Sequence, residues 1–276
     1  MLITAFCFIS SFAFIEHCKF SMKKFLTLIF LLLLTITSFA EEKTHTQIAD
    51  LYGDAIVSIN IIKKDGSTYS GTGFIINSDG LIATAGHVVD DALAINCTFK
   101  NGVISKKATL LAKSTDKITD LAILKIPNTN LPYVILGDSN QVRAGQEITV
   151  IGNPRRLQNT ITNGLISQLR QVSPTIVWLQ ISAPISPSSS GSPVFNKQGQ
   201  VIGVVTSSLK GEEIQNINFA VPSNYLLTLM YQNNIPLTMA KMQDIQIPKP
   251  SLLTRIKNHI GKAWCILKQK LSSLFN

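Results

Sequence analysis

Between Ile56 and Val221, short runs of Ile, Val, Leu and Thr alternate with Gly, Asn, Asp and Pro, and no long segment repeats apolar residues at helical spacing. The runs at 55–62, 73–77, 82–85, 122–126, 147–151, 176–181 and 201–207 have the length and β-branched content of strands. Asp65-Gly66, Asn77-Ser78-Asp79-Gly80, Asn101-Gly102 and Asn196 to Gly199 supply the turn chemistry that joins antiparallel neighbours. The pattern predicts an all-β fold, a sandwich or a pair of barrels. A stretch of roughly 190 residues suits two small barrels better than one, with the seam near 136–145. Thr46 is placed to cap a short helix ahead of the first strand, with Ile48, Ala49 and Tyr52 on one side.

Composition excludes disorder, since 45% of the residues are hydrophobic and 15% charged. Part of that hydrophobicity precedes residue 41. Met22-Lys23-Lys24, an apolar run at 25–36 and Ser38-Phe39-Ala40 have the order of an export signal, with small residues at the cleavage positions. Residues 22–40 are therefore expected to be a signal peptide, with Glu41 as the mature N-terminus, and 1–21 an extension upstream of the true start. An uncleaved membrane anchor is the competing reading.

The net charge of +9 is unevenly placed. Residues 41–234 hold fifteen basic and fourteen acidic side chains, whereas 235–276 hold seven basic residues against Asp244 alone. The excess describes a tail, so it does not argue for nucleic-acid binding by the whole protein. Within that tail Leu253, Ile256, Ile260, Ala263, Trp264, Leu267, Leu271 and Leu274 recur at steps of three and four, with basic residues mostly off the stripe. This is an amphipathic helix suited either to an anionic membrane surface or to docking on the protein itself or another subunit.

Cys97 lies in an apolar alternation and reads as a small buried hydrophobe, with a bridge to Cys265 left open. No metal-ligand spacing or phosphate-binding glycine loop is present, so no cofactor and no metal are expected.

Three residues carry chemistry. His87 follows a strand pattern in Thr84-Ala85-Gly86-His87-Val88-Val89, Asp120 immediately precedes the strand 121–126, and Ser190 lies in Pro187-Ser188-Ser189-Ser190-Gly191-Ser192-Pro193. A serine hydroxyl is a poor nucleophile near neutral pH, so acyl transfer needs a base for its proton and a carboxylate to orient that base. The order His, Asp, Ser is one known solution. Gly191 permits a tight backbone beside the serine. The loop Ser188, Ser189, Ser190 is the candidate oxyanion hole, each donor of which is typically worth ~3 kcal/mol in the transition state.

From about Ile48 to Leu226 the sequence resembles the HtrA/Deg branch of the chymotrypsin-fold serine proteases. The residues that carry the resemblance are Gly71-Thr72-Gly73-Phe74-Ile75-Ile76, Asp79-Gly80-Leu81-Ile82-Ala83-Thr84 with His87-Val88-Val89, and Thr119-Asp120-Leu121-Ala122. They continue through Gly152-Asn153-Pro154, 160–167, 183–193, Ile202-Gly203-Val204-Val205-Thr206 and 218–224.

The resemblance implies two six-stranded antiparallel barrels, here 41–138 and 139–234, followed by the basic tail 235–276 with its C-terminal amphipathic helix. It implies an active site between the barrels, with His87 as base, Asp120 as its orienter and Ser190 as nucleophile. Thr206, Ser207 and Ser208 would pair with an extended substrate, and Ile185 would wall a pocket for a small aliphatic side chain. The expected function is an exported serine endopeptidase, periplasmic or secreted, acting on unfolded or misfolded polypeptides. A catalytically inactive peptide-binding module is the alternative. A homo-oligomer and a membrane surface are possible partners, and nucleic acid is not. No PDZ domain is expected. The chain departs from the family pattern at Ser188 and Ser192, where the family has glycine. At Ser188 glycine's freedom of φ aims an amide at the substrate, and a serine would carry a cost of order 1 to 3 kcal/mol.

Overall fold

The computed structural model describes residues 42–153, 159–208 and 217–236. The expected extension at 1–21, the signal at 22–40 and the amphipathic helix beyond Leu252 lie outside the described residues. Every element below belongs to the compact unit that begins at Lys43. Among the described residues no helix is long and apolar enough to cross a membrane.

The chain enters through helix α1 (His45–Tyr52). Its cap is Thr44, two residues before the expected Thr46. Thr44 Oγ1 accepts from the Gln47 amide at 3.2 Å, and the Gln47 side chain accepts from the Thr44 amide at 2.8 Å. The reciprocal pair needs a side-chain acceptor three residues after the cap, which Gln47 provides for Thr44 and Ala49 cannot provide for Thr46. Ile48 is buried, and Tyr52 stacks on Phe195 with ring centroids 5.2 Å apart.

The first sheet comprises β1 (Ile56–Lys63), β2 (Thr68–Asn77), β3 (Leu81–Ala85), β4 (Ala92–Thr98), β5 (Ile104–Lys106), β6 (Thr109–Lys113) and β7 (Leu121–Lys125). Their order is β5-β4-β1-β2-β3-β7-β6, antiparallel throughout. Turn residues act as the sequence predicts. Asp65 accepts from the amide and hydroxyl of Ser67, Gly66 takes φ +83°, and Gly80 takes φ +90°.

The second sheet comprises β8 (Ile135–Leu136), β9 (Glu147–Gly152), β10 (Thr160–Ser173), β11 (Ile176–Ile181), β12 (Pro193–Phe195), β13 (Gln200–Ser208) and β14 (Asn218–Pro222). Six of these run β12-β9-β10-β11-β14-β13 and close through the β12–β13 ladder, while β8 adds in parallel to β13. This is the expected six-stranded barrel. The first sheet instead curls without a closing ladder. In the link between β5 and β6 the Ala108 amide donates to the Ile95 carbonyl of β4 at 3.2 Å. The three-residue β5 and the register shift in β6 leave too few consecutive residues for the last pairing.

The larger buried cluster draws on both sheets. Phe74, Ile59, Ile82, Leu121 and Ile123 of the first sheet belong to one buried cluster with Ile151, Phe195, Val204 and Val221 of the second. Fully burying each such side chain contributes about 1.5 to 3 kcal/mol. A smaller cluster of Val150, Ile166, Leu179, Ile181, Val194 and Val205 fills the closed barrel. Cys97 is a free thiol buried in the first cluster, and Cys265 lies outside the described residues. Helix α2 (Ser223–Gln232) follows β14 and presents Leu226, Leu227, Leu229 and Met230 to the core.

Candidate active site

Strand pairing brings the first two candidates together. Ala85, the last residue of β3, lies opposite Leu121, the first of β7, so the residues just beyond them meet although 33 positions apart. His87 occupies the 3-10 turn Gly86–Val89 that continues β3. Asp120 stands before β7 with φ +42°. The amides of Gly86 and His87 donate to the Asp120 carbonyl (2.8 Å) and Oδ1 (2.7 Å).

His87 Nδ1 lies 2.7 Å from Asp120 Oδ2. An ionised carboxylate only accepts, so Nδ1 carries the hydrogen and Nε2 keeps its lone pair. The Asp120 side chain is 11% exposed and that of His87 34%, so the carboxylate is held inside while the imidazole reaches the cleft. The Thr206 hydroxyl also donates to Asp120 Oδ2.

Ser190 lies in the loop between β11 and β12. Its hydroxyl donates to the Thr206 carbonyl at 3.3 Å. Thr206 therefore touches both remaining candidates, Asp120 through its side chain and Ser190 through its backbone. Ser190 Oγ is directed at this carbonyl, not at the imidazole.

The loop is held from the first sheet. Thr72 of β2 donates from its amide to the Ser190 carbonyl and from its hydroxyl to the Ser188 carbonyl, both at 2.8 Å. The same hydroxyl accepts from the Asn153 amide at 3.0 Å. Thr72 is fully buried between Gly71 and Gly73, and this flanking by residues without side chains was the available signal. Gly191 has no substitute here, because at its φ of +88° a Cβ would lie 2.0 Å from the Thr72 carbonyl oxygen.

Ser188 takes φ +73°, the left-handed conformation for which glycine is suited. The Ser189 amide donates to Ser186, Gly191 to Val205 and Ser192 to Ser189. Among the described residues the Ser188 and Ser190 amides donate to no protein acceptor. The Ser189 amide is engaged within the loop. The Ser192 hydroxyl is buried without a partner among the described residues and lies where a side chain on Gly152 would have to go.

Ile185 is half-buried against the core of the closed barrel. Ser207 and Ser208 continue β13 opposite Phe219 and Asn218. Beyond Val205 the other edge of β13 has no strand partner among the described residues.

Trp178 of β11, absent from the expected site, reaches across the cleft. Its indole N–H donates to the Ile118 carbonyl at 2.8 Å, two residues before Asp120. Its ring lies 5.6 Å from that of Phe219.

Comparison with known proteins adds that residues 71–204 match the trypsin-like peptidase domain. The chain is 42% identical over 158 residues to a probable periplasmic serine endoprotease DegP-like of Chlamydia muridarum, covering 55% of this chain and 31% of that protein. It is 38% identical over 164 residues to serine protease HTRA4 of Homo sapiens, covering 56% and 33%. Among solved structures, the serine endoprotease from Yersinia pestis superposes with a TM-score of 0.60 at 32% identity, covering 70% of this chain and 67% of that one. The HtrA-type protease AlgW with tripeptide gives a TM-score of 0.63 at 29% identity, covering 70% and 64%. The chain spans about a third of the length of the curated relatives it matches.

Proposed function

Because the chain belongs to the trypsin-like serine proteases of the HtrA/Deg kind, we propose that it is an exported serine endopeptidase cleaving unfolded or misfolded polypeptides through an acyl-enzyme. The observation that carries the reading is the His87–Asp120 pair, joined through Thr206 to Ser190 and placed beside two uncommitted amides.

In the proposed reaction a peptide carbonyl settles over Ser190 while the substrate pairs with the free edge of β13 at Thr206, Ser207 and Ser208. Ser190 Oγ turns from the Thr206 carbonyl toward His87 Nε2, gives up its proton there and bonds to the carbonyl carbon. Asp120 steadies the imidazolium, and the Ser188 and Ser190 amides receive the charge on the former carbonyl oxygen. The tetrahedral centre collapses, the C–N bond breaks, and the amine leaves with the proton held by His87. Water then attacks the ester, His87 again taking and returning a proton, and frees Ser190. Ile185 walls the pocket for the side chain at the cleaved bond. The names of periplasmic relatives support export.

A second reading, peptide binding without cleavage, is favoured by Ser188 in a glycine position and by the engagement of Ser190 with Thr206. A fluorophosphonate probe on the full chain and on Ser190→Ala separates the two. Labelling of the wild type alone, with degradation of unfolded casein, supports the endopeptidase. Absence of both selects the binding module.

A further inference from the structure

A cavity of about 560 Å³ opens beside the His87–Asp120 pair, between the loop before β7 and the face of Trp178. An extended chain added to the edge of β13 places successive side chains on opposite sides. If the residue at the cleaved bond points toward Ile185, the residue immediately N-terminal to it points toward His87 and into this cavity.

The polar groups around the cavity are unequally committed. Asp90 is paired with Lys113. Asp116 accepts from the amides of Ile118 (3.0 Å) and Thr119 (2.6 Å) and from the Thr119 hydroxyl (3.0 Å). Asp120 is engaged by His87 and Thr206. Trp178 is pinned by its bond to Ile118, so its ring is a fixed apolar wall. Lys117 also lines the cavity, yet among the described residues it has no acidic partner. The carboxylate oxygens are thus engaged within the protein, whereas the Lys117 ammonium has no protein acceptor among the described residues. A guest with an apolar stem and an anionic end would lie along Trp178 and give Lys117 its missing acceptor.

We infer that Lys117 makes glutamate the preferred side chain at the position immediately N-terminal to the residue at the cleaved bond. The inference rests on the proposed peptide-cleaving site and adds a specificity determinant to it.

The test uses the full chain as Ser190→Ala, which separates recognition from turnover. Fluorescein-labelled decapeptides carry valine at the position over residue 190 and Glu, Leu or Lys immediately before it, and binding is read by anisotropy. The Glu peptide is expected to bind about tenfold more tightly than the Lys peptide in low salt. The ratio shrinks as salt rises, because Lys117 is exposed. Adding Lys117→Glu, a surface change, reverses the order.

Equal affinities, an order unchanged by Lys117→Glu, or failure of all three peptides to bind overturns the inference. Preference without any fluorophosphonate labelling of wild type overturns the endopeptidase reading and leaves the cavity assignment standing. Labelling without preference does the reverse.

Discussion

The Thr72 hydroxyl donates to the Ser188 carbonyl at 2.8 Å, so a buried strand residue of the first sheet holds a left-handed residue in the loop of the second. The geometry of the proposed oxyanion site is therefore shared between the two halves of the molecule.

Replacing Thr72 with valine preserves shape but removes the donor to Ser188 and the acceptor for the Asn153 amide. Each buried group left unpaired costs about 1 to 3 kcal/mol, so the denaturation midpoint falls. Turnover falls about tenfold to a hundredfold, short of the 10²- to 10³-fold cost of losing an oxyanion donor outright. Steady-state kinetics on an unfolded substrate would show the loss in kcat more than in KM.

Ser188 tests the backbone directly. Ser188→Gly relieves the strain of φ +73°, so turnover is kept or raised. Ser188→Val places a β-branched residue in the same conformation, lowers stability by roughly 1 to 3 kcal/mol and abolishes labelling by a fluorophosphonate. Equal turnover in both variants would show that the left-handed conformation is immaterial to the site.

Asp120→Asn keeps the size of the side chain but no longer requires the hydrogen on His87 Nδ1, so the imidazole can present the wrong tautomer to Ser190. Turnover should drop by about 10⁴. Thermal denaturation should show a folded protein, which assigns the loss to the imidazole and not to the fold.

Cys97 offers a pH test away from the site. Burial pushes its thiol up to about 12, so the folded chain keeps a proton that the unfolded chain releases near its ordinary value. Stability is undiminished by this group at neutral pH and falls above about pH 8.5, by roughly 1.4 kcal/mol per pH unit until the folded thiol itself ionises. Urea midpoints from pH 8 to 10.5 should fall less steeply in Cys97→Ala than in wild type.

Much of the site was legible because its chemistry is local in sequence. His87 follows one strand and Asp120 precedes another, and the pairing of Ala85 with Leu121 turns those two local facts into a contact. The turns at Gly66 and Gly80 were readable for the same reason, since glycine there answers a backbone requirement. Thr72 and Trp178 were not legible. Each looks like an ordinary strand residue, and its importance comes from the partner across the cleft, Ser188 for one and Ile118 for the other. The open edge of the first sheet was hidden likewise, because closure depends on how far short strands overlap. The helix cap slipped by two residues because two threonines competed, and Gln47 decided between them.

The segment that connects the two sheets is bound on both sides. Val134 donates to Ile75 of the first sheet and Gly137 to Val201 of the second, each at 2.9 Å, while Ser139 and Asn224 exchange hydrogen bonds at the head of α2. A connector stitched in this way ties the sheet that carries His87 and Asp120 to the sheet that carries Ser190. If the proposed endopeptidase reading holds, the register between base and nucleophile is built into the fold, and a client would have to come to the groove as a single extended strand.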